Sequence, residues 1–287
     1  MTPGRNEVIG IIGVGVVGGA LLAYLREQGH EPRVFDPAKG HASMDALDDA
    51  GTIFICVPTP YAPGRGFDDG HLQAAIASIP GSKTVVIKST VLPGATQLLQ
   101  ERYPRHGLMF NPEFLREATA YEDFIRPDRQ IIGCTEASAG EAGRVMALLP
   151  RAPFELICSS SEAEMSKYAA NAFLAVKVIY ANEIFDLCHR LGIDYSAVRD
   201  IVAHDERIGG SHMDVFDSGY RGYGGKCLPK DSKSLLDLAR SVGVEMPVLG
   251  AADRANATLH TARKAPRRAR VAVRVDAAEP GKRKAAA

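Results

Sequence analysis

Val8-Ile9-Gly10-Ile11-Ile12-Gly13-Val14-Gly15-Val16-Val17-Gly18-Gly19-Ala20-Leu21-Leu22-Ala23-Tyr24-Leu25 is an uncharged run of 18 residues near the start of a 287-residue chain. Its length approaches that of a membrane span, and Arg5 ahead of it gives it the look of a secretory leader. Its glycines favour another reading. Residues 7–12 are mostly β-branched and apolar, as in a strand buried on both faces. Gly13, Gly15 and Gly18 then spell G-x-G-x-x-G, and residues 16–28 carry helical periodicity. In such a strand–turn–helix the first glycine permits the tight turn and the second lets the backbone approach a pyrophosphate. The third lets helix and strand pack closely. The unpaired N–H groups of the first helical turn, here Val16 and Val17, attract phosphate charge. Asp36 closes the next strand, 18 residues after Gly18. A carboxylate there binds a ribose 2′-hydroxyl and repels a 2′-phosphate. The stretch reads as a dinucleotide site that favours NAD, with Arg33 and Lys39 near enough to keep NADP as a minor alternative.

Outward from that unit the alternation continues. Residues 31–35, 52–57, 84–87, 107–110 and 129–133 read as strands, and residues 70–79, 95–102 and 138–148 as helices between them. This predicts an α/β fold, a Rossmann-like doubly wound parallel sheet over residues 1–155. From Ser161 the pattern changes. The stretch from Ser161 to Leu191 is helical in period and nearly free of Gly and Pro. Ser161 and Glu164 have capping-box spacing, and Gly192 stands where a C-cap belongs. At 1.5 Å per residue the helix would span roughly 45 Å, a length that commonly joins domains or forms a dimer interface. Further helices are expected at 196–202, about 230–242, and from Pro247, with a glycine-rich loop at 209–225. Residues 156–260 therefore read as an all-helical domain that dimerises through Ser161 to Leu191. Residues 261–287 read as a basic disordered tail.

Hydrophobic residues make up 46% and charged residues 24%, a balance that fits a globular protein and excludes a disordered or fibrous one. The formal net charge is zero, but the last 27 residues hold nine Lys/Arg against two acidic residues. The body is thus equally acidic, which argues against nucleic acid as a partner and makes the tail a solvated terminus. Five cysteines (Cys56, Cys134, Cys158, Cys188 and Cys227) show no paired spacing. That pattern points to a reducing, cytoplasmic compartment and to neither a metal site nor a disulfide framework.

Four more segments carry chemistry. Gly222-Tyr223-Gly224-Gly225-Lys226-Cys227-Leu228-Pro229-Lys230-Asp231 puts a cysteine between a glycine loop and a helix start. Backbone amides, the helix dipole, Lys226 and Lys230 are expected to lower that thiol's pKa. Lys167 and Asn171 lie one turn apart on one helix face. Asn111-Pro112-Glu113-Phe114-Leu115-Arg116-Glu117 follows a strand and carries two carboxylates. Lys88-Ser89-Thr90 ends another strand, on the side where open α/β sheets bind ligands. Each residue also has a plainer role open to it: a core cysteine, a solvated lysine, a helix cap at Glu113, surface charges at Glu117 and Arg207.

Taken together, these segments resemble the UDP-glucose/GDP-mannose dehydrogenase family over about residues 7–260, without that family's third, nucleotide-gripping α/β unit. The resemblance implies NAD-dependent four-electron oxidation of the C6 alcohol of a nucleotide sugar, as in polysaccharide biosynthesis. By that similarity Cys227 is the nucleophile, and Lys167, Asn171 and Asp231 hold the C6 oxygen and a catalytic water. Glu113 serves the hydrolytic half, and Thr90 and Glu117 lie near the nicotinamide. Val57-Pro58-Thr59-Pro60 is the cofactor-side turn, with Thr59 a cofactor residue. Phe114, Leu115, Tyr223, Gly224 and Gly225 match substrate-binding positions. Asp205-Glu206-Arg207-Ile208-Gly209 resembles the segment whose arginine, here Arg207, reaches the neighbouring subunit's sugar site. That segment and Tyr223 look closest to the UDP-glucose branch. The residue types suit the chemistry, since one thiol can carry an aldehyde through a thiohemiacetal to a thioester. Two other readings stay open. One is a two-electron β-hydroxyacid-type dehydrogenase in which Lys167 and Asn171 act and Cys227 is idle. The other is a non-catalytic NAD-binding or dimerising module.

Overall fold

The computed structural model describes residues 7–62, 64, 66–216 and 219–259, so the expectation of a disordered tail at 261–287 lies outside the described residues. The opening stretch becomes β1 (Ile9–Ile12) and α1 (Val16–Glu27), and none of the described helices is long and apolar enough to cross a membrane. The chain continues through β2 (Arg33–Phe35), β3 (Thr52–Ile55), a hairpin of β4 (Tyr61–Ala62) and β5 (Gly66–Phe67), α2 (Gly70–Ser78), β6 (Thr84–Ile87), α3 (Ala95–Arg102) and β7 (Gly107–Phe110). Then come α4 (Ala120–Ile125), β8 (Arg129–Cys134), α5 (Ala142–Ala147), β9 (Phe154–Ser159), α6 (Ser160–Leu191), α7 (Tyr195–Ala203), α8 (Leu228–Ser241) and α9 (Pro247–Leu259).

The main sheet has the order β2-β1-β3-β6-β7-β8-β9. β2, β1, β3, β6 and β7 run parallel, as the alternation predicts. β8 is antiparallel to β7 and parallel to β9, so the all-parallel expectation is corrected at that point. An antiparallel return needs no crossover, so β8 enters at the edge where β7 leaves. The connection between them, residues 111–128, therefore begins and ends at the C-terminal edge of the parallel strands, and it carries Glu113. Side-chain alternation divides the core in two. Ile53, Ile55, Ile87 and Phe110 face one layer with α2 and α3. Phe54, Val86 and Met109 face the other, with Leu21 and Leu25 of α1, Phe124 of α4 and Val145 of α5.

The start of α6 departs from expectation. The capping box is formed by Ser159 and Glu162: the Ser159 N–H donates to Glu162 Oε2 at 2.9 Å, and the Glu162 N–H to Ser159 Oγ at 3.3 Å. Glu164 is fully buried and caps a different helix, accepting the N–H groups of Gly94 at 2.6 Å and Thr96 at 2.8 Å at the start of α3. At its far end α6 closes as expected, with Gly192 at φ +72° and the Ile193 N–H returning to the Cys188 carbonyl at 2.9 Å.

The chain divides into two compact units, and the division falls within α6 rather than ahead of it. One unit takes the chain up to Ala175 together with Gly224–Asp253, and the other takes Val176–Tyr223 and the chain from Arg254. The segment bearing Cys227 therefore belongs with the sheet unit, not with a separate helical domain from residue 156. The cause is packing: Ala163 near the start of α6 is part of the sheet's core, and Tyr61 of β4 bonds Asp237 of α8 at 2.7 Å. The second unit has its own small core of Ala181, Cys188, Tyr195 and Val215.

Candidate active site

The three glycines of the β1–α1 turn do three different things. Gly13 adopts φ +84°, and a Cβ on it would lie 2.9 Å from the Cys56 carbonyl oxygen. A Cβ on Gly18 would lie 1.9 Å from the Gly13 carbonyl oxygen, so helix and turn approach closely at that residue. A Cβ on Gly15, at the N-cap of α1, would meet nothing within 4 Å. Open space over that glycine, beside the N–H groups of Val16 and Val17, is what a pyrophosphate needs. Asp36 Oδ2 accepts the Val14 N–H at 2.8 Å, and Lys39 Nζ donates to the Val14 carbonyl at 2.6 Å. Arg33 is occupied by Asp49 at 2.8 Å. On the other side of the turn the Thr59 hydroxyl donates to the Thr90 carbonyl at 2.7 Å and the Ser89 hydroxyl to the Val57 carbonyl at 2.7 Å. These bonds tie the 57–60 turn to the end of β6. The donors and open space fit a dinucleotide.

A second group of side chains gathers at the same sheet edge. Lys167 and Asn171 share a face of α6 and are 4% and 7% exposed. Lys167 Nζ contacts Glu113 Oε1 at 2.9 Å and also donates to the Glu113 carbonyl. Glu113 Oε2 accepts the Leu115 N–H at 2.9 Å. One turn along α6, Asn171 Nδ2 donates to Asp231 Oδ2 at 2.5 Å. Asp231 is buried in the first turn of α8, its other oxygen taken by Lys230 at 2.6 Å. Cys227 is the N-cap residue of α8 and is exposed. Its thiol feels the charges of Glu113, Lys167, Asp231 and Lys230.

Electrostatics correct one expectation. The Cys227 thiol lies above its ordinary pKa: partial desolvation by the surrounding protein contributes most, then Glu113, with Lys167, and more weakly Lys230, opposing. The lysines expected to activate it are engaged elsewhere. Lys230 pairs with Asp231, and Lys226 pairs with Glu117 at 3.3 Å. Glu113 moves the other way. Burial would push its carboxyl up, but Lys167, by charge and hydrogen bond, together with the Leu115 N–H and Lys88, holds it below the ordinary glutamate range. Cys56, in the next strand end, is pushed up to about 12, chiefly by burial, and is no nucleophile.

The remaining expected site residues make other contacts. Glu117 is exposed and paired with Lys226. The Phe114 ring lies 3.7 Å under the Arg129 guanidinium and 5.5 Å from Lys167 Nζ, and the Leu115 side chain packs into the sheet's second core layer. Gly225 adopts φ +71°, and Gly224 joins it in the loop before Lys226. Tyr223 and Arg207 belong to the second unit. Tyr223 is buried, its N–H and carbonyl both bonded by the Asn256 side chain at 2.7 and 2.9 Å. Arg207 is exposed and paired with Asp205 at 2.5 Å. Sequence reading assigned no role to Asn256, and it placed Lys88 at a ligand-side strand end without a role of its own. A lysine closing the buried run Thr84–Ile87 was the available signal for the latter.

Residues 38–148 match the NAD binding domain, and residues 161–258 the central domain, of the UDP-glucose/GDP-mannose dehydrogenase family. A UDP-glucose 6-dehydrogenase of Pseudomonas aeruginosa is 38% identical over 233 residues, which are 74% of this chain and 50% of that protein. A GDP-mannose 6-dehydrogenase of the same organism is 34% identical over 229 residues, 74% of this chain and 52% of that one. The structure of a UDP-glucose dehydrogenase from Pyrobaculum islandicum superposes with a TM-score of 0.77 at 30% identity, covering 90% of this chain and 70% of that one. The chain spans about half the length of the curated relatives it matches.

Proposed function

The chain belongs to the UDP-glucose/GDP-mannose dehydrogenase family, and from that premise we propose that it oxidises the C6 alcohol of a nucleotide sugar to a carboxylate, with UDP-glucose the first candidate. The observation that carries the proposal is the convergence of Cys227, Lys167, Asn171, Asp231 and Glu113 at one sheet edge. Gly13, Gly15, Val16, Val17, Gly18 and Asp36 would hold NAD, with Thr59, Thr90 and Glu117 toward its nicotinamide. Bound there, NAD accepts a hydride in each of two oxidations. Asp231, through water, takes the C6 hydroxyl proton as the alcohol becomes an aldehyde. The Cys227 sulfur then adds to the aldehyde carbon, and the thiol proton ends on the former carbonyl oxygen. Because the thiol rests protonated, addition needs that proton transfer. Lys167 and Asn171 donate hydrogen bonds to the oxygen while it is negative. The thiohemiacetal loses a hydride and its hydroxyl proton, leaving a thioester on Cys227. Glu113 deprotonates the water that attacks the thioester carbon, and the acid leaves as the thiol regains its proton.

Phe114, Leu115, Gly224 and Gly225 are the substrate-binding residues of the first unit in this reading, and Tyr223 that of the second. A second copy of the chain is the expected partner. Phe173, Tyr180 and Leu187 repeat every seven residues on α6 and are 67%, 56% and 55% exposed, an apolar stripe suited to a homodimer. Arg207 would then serve the neighbouring subunit's sugar site. Five unpaired thiols suit the cytoplasm. The test is NADH formation at 340 nm with UDP-glucose, GDP-mannose and UDP-N-acetylhexosamines, wild type beside Cys227→Ser. Acid formed by the wild type and abolished in the variant supports the reading. Turnover spared in Cys227→Ser favours the two-electron dehydrogenase, and NAD binding without turnover favours a non-catalytic module.

A further inference from the structure

β6 runs directly into Lys88, whose side chain is 4% exposed. Its Nζ donates to Asn111 Oδ1 and lies 5.4 Å from the centre of the Phe124 ring. Burying an ammonium is costly unless something compensates its charge. Among the described residues no carboxylate is within ion-pair distance of Lys88. The orientation of Asn111 is fixed independently. Its Nδ2 gives both hydrogens to β8, to Gln130 Oε1 at 2.9 Å and the Ile131 carbonyl at 2.7 Å, so Oδ1 is left to accept from Lys88. The Asn111 N–H donates to the Ile87 carbonyl at 2.9 Å. Residue 111 is therefore gripped from β6 and β8, two residues before Glu113.

The groups that face Lys88 electrostatically are Cys56 at the end of β3, Glu113 after β7 and Lys167 on α6. Cys227 at the start of α8 also feels the Glu113 charge. Cys56 stays neutral, with a thiol pushed up to about 12. Glu113 is thus the ionised anion that Lys88 answers to, and Lys167 is the second cation beside it. Burial pushes Lys88 down, Cys56 and Glu113 oppose that, and Lys167 adds to it.

The geometry points to Lys88 as a positioning residue for Glu113: through Asn111 it fixes where the chain leaves β7, and its buried charge adds to that of Lys167 beside the Glu113 carboxylate, which serves the water that cleaves the Cys227 thioester. This deepens the proposed function and rests on it for the identity of that step. Lys88 acts through Asn111 and Glu113, so its loss should slow acid release more than the oxidations that precede it.

Lys88→Gln removes the charge while leaving an N–H donor for Asn111. Two readouts are taken on the full chain. In the first, the Glu113 carboxyl is titrated by carbon-13 NMR without any ligand. Its midpoint is expected to rise by about one pH unit in the variant. In the second, rapid mixing with NAD and UDP-glucose separates the NADH burst from steady-state acid release. Release is expected to show its acid limb moved up by about one unit, so that it falls up to about tenfold well down that limb and changes little at pH 7. The thioester should then accumulate on Cys227 by intact mass. An unchanged Glu113 midpoint in a folded variant overturns the inference, as does an acid limb that stays in place. Should Lys88→Gln not fold, Lys88→Met is titrated instead, with the same expected rise and the same overturning result. If the wild type makes no NADH, the proposed function has failed, and the ligand-free titration still decides whether Lys88 governs Glu113.

Discussion

Replacing Lys167 by Met removes one half of an ion pair whose side chains are only 4% and 12% exposed. The stem of the lysine is matched in length by Met, so little packing is lost and the change is mainly one of charge. Breaking a buried pair from one side typically costs about 3–5 kcal/mol, because the remaining charge loses its partner in a poor solvent. Here the orphan is Glu113, whose carboxylate would keep the Leu115 N–H and the more distant Lys88. Those remaining partners place the expected loss near the lower bound, about 3 kcal/mol. At a urea dependence of about 3 kcal/mol per molar, the unfolding midpoint would fall by about 1 M. The chain has no Trp, so far-UV circular dichroism is the appropriate signal. Adding Glu113→Leu should recover most of the loss, since no buried charge is then left unpaired. The pH dependence gives an independent check. Glu113 is held below its ordinary pKa, so its contribution to stability is present above about pH 4.3 and is lost as pH falls through its folded value. Lys167→Met should flatten that loss. A cost under about 1 kcal/mol, or a double variant no better than the single, would show that water already solvates the pair and refute the reasoning.

Three further outcomes follow from the same geometry. Glu164→Leu should cost about 2 kcal/mol in urea, because two N–H groups at the start of α3 lose their acceptor. Burial raises the Glu164 carboxyl, so its stabilising effect is largest below about pH 4.3 and is lost as pH rises through its folded value. The deficit of Glu164→Gln against wild type should therefore be larger at pH 4 than at pH 8. Gly18→Ala puts a methyl 1.9 Å from the Gly13 carbonyl oxygen, so the turn must open, and calorimetric NAD affinity should fall at least about tenfold. Alkylation of Cys227 by iodoacetamide, followed by peptide mass, should have its midpoint above the free-thiol value of about 8.5, and Glu113→Gln should bring it down.

The glycine turn was legible because its requirements are local. A positive φ at Gly13, close contact at Gly18 and space over Gly15 are each dictated within a few residues. Lys167 and Asn171 were legible for the same reason, since four residues along a helix fixes a shared face. What the sequence concealed was a choice among partners. Ser159-x-x-Glu162 and Ser161-x-x-Glu164 both have capping-box spacing, and only the position of α3 decides that Glu164 is needed elsewhere. Lys226 and Lys230 read as activators of the thiol until Glu117 and Asp231 are found beside them. β9 was missed because most of its residues are exposed instead of forming a continuous apolar run, as befits a strand on the sheet's edge. The reversal at β8 is a tertiary fact that no local pattern encodes, yet it is what brings Glu113 to Lys167.

The measurement that tests the central claim most directly is the ratio of NADH formed to sugar acid released, counted in one reaction with UDP-glucose. A single cysteine carrying two successive oxidations predicts two NADH per acid, with no free aldehyde, and none of either product from Cys227→Ser. One NADH per sugar with aldehyde released, or an undiminished yield from Cys227→Ser, would contradict it.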